Sequence, residues 1–219
     1  QVDEVTGTMR LNPELVNACM ERLVDGYLGR LRQWEELNLL SLPTAGDGVG
    51  SGGLHHTSDL PQPDCDPAHV RPVDLWGCAT PQIFSEISPD MHWEFALRHE
   101  MRWLEKWGLT YYGCCEPLHN KIELLRRIPN LRKVSVSPKA DKALSAERLG
   151  KDYVASLKPN PAIFAIDPWD RELARRELLE DMEKLRGCAV EIILKDISTI
   201  HSEPRRLHEW AQMAREVAE

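Results

Sequence analysis

Leu109-Thr-Tyr-Tyr-Gly-Cys-Cys-Glu116 is the stretch of sequence that decides the predicted fold. Its apolar and aromatic first half, bounded by glycine and followed by a turn, is typical of a short buried β-strand. Thiol, carboxylate and imidazole side chains then crowd the end of that strand: Cys114, Cys115, Glu116 and His119. In a parallel sheet the loops at the C-terminal ends of the strands converge on one face, where active sites lie. We therefore predict a functional site at the end of this strand.

Helices and strands alternate on the C-terminal side of this stretch. Period-2 and apolar runs predict strands over 131–137, 153–157 and 190–194. Amphipathic spacing predicts helices over 120–128, 142–149, 170–186 and 204–217. Strands that alternate with helices in this way predict an α/β fold with a parallel sheet.

The N-terminal side gives weaker signals. Asn12 is a typical helix cap, and with Pro13 at the first helical position it predicts a helix that ends near Glu36. Ser88 and Pro89 predict a second helix in the same way, which ends before Gly108. Residues 1–11 are predicted to be a loose lead-in, 37–42 a strand, and 74–85 a helix or turn. The glycine-rich segment 44–53 is predicted to be a mobile loop rather than an element. The count is then about five strands, and residues 1–219 are taken as a single domain.

Composition and charge exclude several classes of protein. The chain has 219 residues, of which 42% are hydrophobic, so it has enough apolar residues for a proper core. The formal net charge of −8 argues against a nucleic-acid surface, which needs a basic stripe. No apolar run approaches the length of a membrane span. Its 6 cysteines are too few for a disulfide scaffold at this length, so we predict reduced thiols and a cytoplasmic location.

The two adjacent thiols have two interpretations. Cys114, Cys115 and His119 are candidate metal ligands, because thiolate and imidazole are the groups that zinc prefers. In a regular strand the two cysteines would point to opposite faces, and Gly113 would have to permit a bend. The alternative is a pair of small buried side chains, since free cysteine is among the most buried residues.

Charged and amide side chains at strand ends are the candidate catalytic residues. A carboxylate such as Glu116 at the mouth of a buried strand needs a partner, for which His119 and Lys158 are candidates, or it caps a helix. Asn160, held between two prolines, either faces the substrate or forms a rigid turn. Lys195 and Asp196 end the last strand, where they are either catalytic or paired with each other.

Two loop histidines are candidate substrate contacts. His55 follows the glycine-rich loop and could line a site. His201 follows the last strand and could carry a proton, because the imidazole pKa lies close to physiological pH. For each of them the alternative is a loop histidine with no special role.

Four motifs taken together resemble the uroporphyrinogen decarboxylase superfamily. They are Ser88-Pro-Asp-Met-His-Trp-Glu-Phe95, Tyr111-Tyr-Gly-Cys-Cys-Glu-Pro-Leu-His119, Lys158-Pro-Asn-Pro161 and Glu191-Ile-Ile-Leu-Lys-Asp-Ile-Ser-Thr199. The resemblance is closest to a bacterial branch of that superfamily. It implies that residues 54–219 form the C-terminal half of a (β/α)8 TIM barrel, preceded in residues 1–53 by a helix, a strand and the glycine-rich loop. An open half-barrel exposes strand edges, so self-association or pairing with the missing N-terminal half is expected.

The resemblance implies a corrinoid-dependent methyltransferase, which moves a methyl group between a small substrate and a corrinoid protein. The family's methyltransferases bind zinc through a His-x-Cys at this strand and a second cysteine at the last strand. Here Tyr112 takes the place of the histidine, which makes it a predicted substrate contact, and Cys114 takes the place of the cysteine. Lys195 and Asp196 occupy the region of the second cysteine, so the family's ligand set is not intact. A zinc site would need a rearranged set: Cys114, Cys115, Glu116 and His119.

Two alternatives to methyl transfer remain open. The superfamily's decarboxylases use no metal and hold substrate carboxylates with arginines and aspartates near the N-terminal half, which this chain lacks. A non-catalytic barrel half that acts as an assembly module is the third hypothesis, because a fold does not fix a function.

Overall fold

A five-stranded parallel sheet with helices between its strands forms the centre of the protein. The computed structural model describes residues 2–219, and the side chains of residues 4–219. The sheet contains β3 (Trp76–Ala79), β4 (Leu109–Tyr112), β5 (Leu131–Val136), β6 (Val154–Leu157) and β7 (Ala189–Ile192), after a separate antiparallel hairpin of β1 (Gly48–Val49) and β2 (Gly53–Leu54). All neighbours in the large sheet are parallel, and their order in space is their order in the chain. The predicted α/β class with alternating helices and parallel strands is therefore confirmed.

Helices precede, connect and follow the strands of this sheet. They are α1 (Val2–Leu11), α2 (Pro13–Glu36), α3 (Pro89–His92), α4 (Arg98–Leu104), α5 (Ile122–Leu125), α6 (Lys142–Leu149), α7 (Arg171–Lys184) and α8 (Arg205–Ala218). A π-helical turn, Trp93–Leu97, joins α3 to α4, and short 3₁₀ helices cover Pro72–Asp74, Gln82–Phe84 and Pro161–Ala165. Within residues 2–219, none of the helices combines the length and the hydropathy that crossing a bilayer requires.

Capping residues set the starts of the two predicted N-terminal helices. Asn12 accepts a hydrogen bond from the backbone N–H of Leu15 at 3.2 Å, and α2 ends at Glu36 as predicted. Ser88 caps α3 in the same way. Each cap satisfies one of the N–H groups that the first turn of a helix leaves without a partner.

Besides the mobile loop predicted at 44–53, three N-terminal predictions were wrong in whole or in part. Residues 1–11 were predicted to be a loose lead-in, but α1 forms because Met9, only 2% exposed, packs with Val16 and Phe84. The predicted strand over 37–42 is a turn and coil, since no neighbouring strand pairs with it. The segment 74–85, predicted as a helix or turn, contains the 3₁₀ helix Gln82–Phe84 but also β3, an edge strand of the sheet.

The two faces of the sheet differ in polarity. One face packs into the helical core through Tyr112, Val134, Val136, Ala155 and Leu157. On the opposite face, residues that alternate with these are polar: Tyr111, Lys133, Ser135, Ser156, Lys158 and Glu191. We call this the polar face. Because side chains alternate along a strand, the same strands supply both the core and the functional side chains.

The β1–β2 hairpin covers the polar face, in the segment where only a mobile loop was predicted. Ideal Cβ atoms on Gly50 and Gly53 would lie 2.5 and 2.9 Å from ring atoms of Tyr111, so the hairpin backbone rests on that ring. At its end, the N–H of Leu54 donates to Glu191 at 3.0 Å, and Lys133 donates to the Leu54 carbonyl. Lys133 and Glu191 form a buried ion pair of 2.7 Å beneath the hairpin.

Candidate functional site

A cavity of about 500 Å³ opens at the C-terminal ends of β4, β6 and β7. Loops after these strands form its walls, as expected for a parallel sheet. Residues predicted from the sequence to be functional line it: Cys115, Glu116, Lys158, Asn160, Lys195 and Asp196. All five predicted catalytic residues therefore contribute to one cavity.

Glu116 is held in place at the end of β4. Its side chain is 1% exposed, and its carboxylate accepts from the Cys114 N–H at 2.9 Å and from the Thr80 hydroxyl at 3.3 Å. The expected partners His119 and Lys158 do not contact it. Its charge instead faces Lys121, a fully buried lysine that donates to the carbonyls of Phe84 and Ser85.

Lys121 titrates unusually low for a lysine. Burial lowers the pKa of Lys121 to about 8, although the charges of Glu116 and Glu86 oppose that change. A desolvated ammonium that faces a buried carboxylate keeps the pair of Lys121 and Glu116 close to neutral.

Lys158 follows β6 and is 2% exposed. Its ammonium donates to the hydroxyl of Tyr111 at 2.6 Å and to the hydroxyl of Ser135. None of the ion pairs formed within residues 4–219 includes Lys158. This buried cation therefore has only neutral oxygens as protein partners.

The adjacent thiols lie on the same side of the chain. Gly113 adopts φ of +97°, a backbone conformation suited to glycine, and the two sulfurs of Cys114 and Cys115 come within 3.4 Å of each other. Lys195 donates to the Cys114 sulfur at 3.4 Å, and the Cys115 thiol donates to Asp196 at 3.2 Å. The bend that the sequence required at Gly113 is present.

The titration of these groups follows from their contacts. Burial, together with hydrogen bonds to Cys114 and Asp196, raises the pKa of Cys115 to about 12, so this thiol stays protonated at neutral pH. Burial opposes the charge of Lys195, but its contact with the Cys114 sulfur and the nearby acidic groups leave the pKa of Lys195 above its usual value. The mouth of the cavity thus carries a cation and a protonated thiol at pH 7.

Cys114 and Cys115 lie close to each other, but His119, the third predicted metal ligand, does not join them. His119 lies outside the cavity lining and accepts a hydrogen bond from the Asp141 N–H at 3.3 Å through Nδ1. Across the described part of the chain, no three His, Cys, Asp or Glu side chains are grouped so that they could hold a metal ion. The ammonium of Lys195 stands next to the Cys114 sulfur, where a second cation would be repelled. These residues do not fit the zinc site implied by the resemblance.

The three predicted substrate contacts lie elsewhere. Tyr112 points to the core face of β4, because strand alternation puts it opposite Tyr111, and its hydroxyl donates to Glu100 at 2.7 Å. His55 contacts the carbonyl of Asp47 at 2.8 Å, and its own carbonyl accepts from Trp76 at the start of β3, away from the cavity end. His201 contacts the carbonyl of Ala165 at 3.0 Å. None of the three lines the cavity.

A polar cluster on the core face of the sheet was missed from the sequence. Glu100 and His92 both contact the hydroxyl of Tyr112, at 2.7 and 2.9 Å. Burial raises the pKa of Glu100 to about 7 and lowers the pKa of His92 to about 3. The sequence did contain a signal for this cluster. His92 and Glu100 are eight residues apart, and in one helix this spacing puts both polar residues on the apolar face.

Glu100 makes stability depend on pH. Burial raises its pKa from 4.5 to about 7, so between these values the folded protein holds a proton that the unfolded chain has released. The stability that this group contributes is therefore present below pH 4.5 and lost as the pH rises to 7. Glu100→Gln keeps an acceptor for Tyr112 without a charge. We expect it to raise the free energy of unfolding by about 2–3 kcal/mol above neutral pH, and to change it little in acid.

Urea unfolding of native protein and the Glu100→Gln variant on both sides of this pH range checks the prediction. An equal effect of the substitution at acid and alkaline pH would show that charge burial is not the cause.

No family model, curated protein or solved structure matches this chain. The resemblance to the uroporphyrinogen decarboxylase superfamily consequently stands on the sequence motifs alone.

Proposed function

We propose that this chain is the C-terminal part of a (β/α)8 barrel enzyme whose active site is the cavity at the ends of β4, β6 and β7. One observation carries the proposal, which is that all five predicted catalytic residues line that cavity. The strand order supports the barrel. Doubly wound sheets reverse their order at a switch point, whereas barrel strands follow in sequence, and these five strands show no reversal.

Methyl transfer between a small substrate and a corrinoid protein is the reaction that we propose for this site. The corrinoid, carried by the partner protein, supplies a methyl donor or acceptor. When a methyl group leaves its heteroatom, the bonding electron pair stays on that atom, and a fixed positive charge nearby stabilises it. Lys195, which remains charged at neutral pH, is placed at the mouth for this role, with Asn160 to orient the substrate. The proposal uses no zinc.

Methyl exchange with free methylcobalamin tests the reaction. Loss of the methyl group from cobalt changes the visible absorbance, and a panel of thiols and amines can serve as acceptors. We expect Lys195→Met to lower kcat by about 10²-fold, as removal of one charge-stabilising group does in other enzymes. Lys139→Met, at an exposed lysine on the same cavity wall, is the matched control and should keep its rate. Absence of exchange across the panel would count against methyl transfer.

Decarboxylation is the second candidate, because the buried ammonium of Lys158 lacks a carboxylate partner and could accept one from a substrate. Release of CO2 from a porphyrinogen in the absence of any corrinoid would favour it over methyl transfer. Absence of both reactions would leave the assembly module as the function.

Association with another barrel half is part of the same proposal. β3 and β7 are the edge strands of the sheet, and exposed edges of this kind pair readily. Exposed apolar residues on α2 also support a partner there: Leu15, Leu23 and Tyr27. The mass of the particle in solution tests for a second copy or a missing half. We also propose a cytoplasmic location, since all six cysteines are free.

A further inference from the structure

Of the charged side chains that line the cavity, Lys158 is the one that is buried with no oppositely charged group in contact with it. Lys195 lies 3.4 Å from Asp196, and Glu116 faces Lys121. Glu86 and Lys139 are exposed, so water can solvate their charges. Lys158 is buried and makes no ion pair within residues 4–219, which leaves one ammonium without a compensating charge at the cavity.

A buried ammonium without a counter-ion is unfavourable unless a ligand provides one. The two hydroxyls that contact Lys158 do not depend on it. Tyr111 also lies 3.1 Å from the hydroxyls of both Ser51 and Ser156, and Ser135 donates to the Cys114 carbonyl at 2.5 Å. These partners would be satisfied without the lysine. The position therefore does not need a cation for its own structure.

We infer that Lys158 binds a carboxylate group of the substrate at the floor of the cavity. A single ammonium matches the single charge of a carboxylate. Phosphate carries more charge, and the planar guanidinium group of arginine recognises it through two parallel hydrogen bonds, but no arginine lines this cavity. The inference rests on the proposed function and adds to it the chemical class of the substrate.

Two further groups near Lys158 have hydrogen-bonding capacity left for such a ligand. Asn160 uses its side-chain oxygen to accept from the Ala162 N–H at 3.1 Å, so its amide N–H groups remain available in the cavity lining. The hydroxyl of Ser137, directly after β5, is fully buried and has no hydrogen-bond partner. A buried polar group in this condition indicates an absent partner.

Binding of small carboxylates to the protein tests the inference without any methyl donor or corrinoid. The probes are acetate, succinate and benzoate, each compared with its neutral amide, and inorganic phosphate. We expect at least one carboxylate to raise the unfolding temperature and its amide to have no effect. Lys158→Met should lower the affinity of the protein for that carboxylate about tenfold or more, while Lys139→Met should leave this affinity within about twofold of the native value.

The stability of the ligand-free variant separates a binding role from a structural one. If Lys158 is there for a ligand, Lys158→Met should unfold at the same or a higher temperature than the native protein, because it removes an unpaired buried charge. A lower unfolding temperature with unchanged carboxylate binding would overturn the inference. Binding of phosphate in preference to every carboxylate, or of no carboxylate at millimolar concentration, would overturn it too. Failed methyl exchange with intact carboxylate binding would refute only the proposed reaction.

Discussion

Replacing Glu191 by leucine is expected to lower the free energy of unfolding by about 3–5 kcal/mol. Within residues 4–219, Glu191 is the only carboxylate that forms an ion pair with Lys133. The side chains of Glu191 and Lys133 are 7% and 6% exposed. The leucine would leave the ammonium of Lys133 buried without a counter-ion. It would also remove the acceptor of the Leu54 N–H, which ties the β1–β2 hairpin to the polar face.

The double variant Lys133→Met/Glu191→Leu is the matched control. Removing both charges together replaces an ion pair by apolar groups of similar volume, and such exchanges are often neutral or stabilising. We therefore expect the double variant to recover most of the stability that Glu191→Leu loses. Urea unfolding of the native protein, both single variants and the double variant measures the coupling. If the double variant were as unstable as the sum of the single ones, the ion pair would not be the cause.

Replacing Gly50 by alanine is expected to lower the free energy of unfolding by about 2–4 kcal/mol. Gly50 has φ of +57°, and a Cβ atom there would lie 2.5 Å from the ring of Tyr111. Gly150→Ala is a close control, because Gly150 has φ of +54° with no atom within 4 Å of its Cβ position. It should lose only the backbone contribution, which is about 1–3 kcal/mol because its ψ of −134° lies outside the left-handed helical region.

The difference between the two glycine variants measures how tightly the hairpin rests on Tyr111. Because the Tyr111 hydroxyl accepts from Lys158 at 2.6 Å, Gly50→Ala should also weaken carboxylate binding, and Gly150→Ala should not. Equal losses of stability in both variants would mean that the hairpin moves aside freely.

The helix starts and short strands that depend on local chemistry were predicted correctly from the sequence. The caps at Asn12 and Ser88 set helix starts correctly, and the predicted helix 142–149 agrees with α6. The short apolar runs of β4 to β6 were also identified. These features depend on residues close in the chain, so the pattern contains the needed information.

Features that depend on distant residues were not predictable in this way. β3 is a four-residue strand that is recognisable only by its pairing with β4. Tyr112 was predicted to contact the substrate. Because side chains alternate along a strand, Tyr111 lies on the polar face and Tyr112 lies in the core. The link between Lys121 and Glu116 arises from packing of the 82–86 segment against α5, which leaves no sequence motif.

The unequal faces of the sheet also bear on how the chain finds its correct pairing during folding. A shift of any central strand by one residue would turn Lys133 or Lys158 toward the helices and present Val134 or Leu157 to the hairpin. Each such mispaired state would place an ammonium group in a dry apolar layer with no acceptor. The charges on the polar face therefore also act as a check on strand alignment, and a variant with apolar residues in place of Lys133 and Lys158 would be expected to misfold more readily.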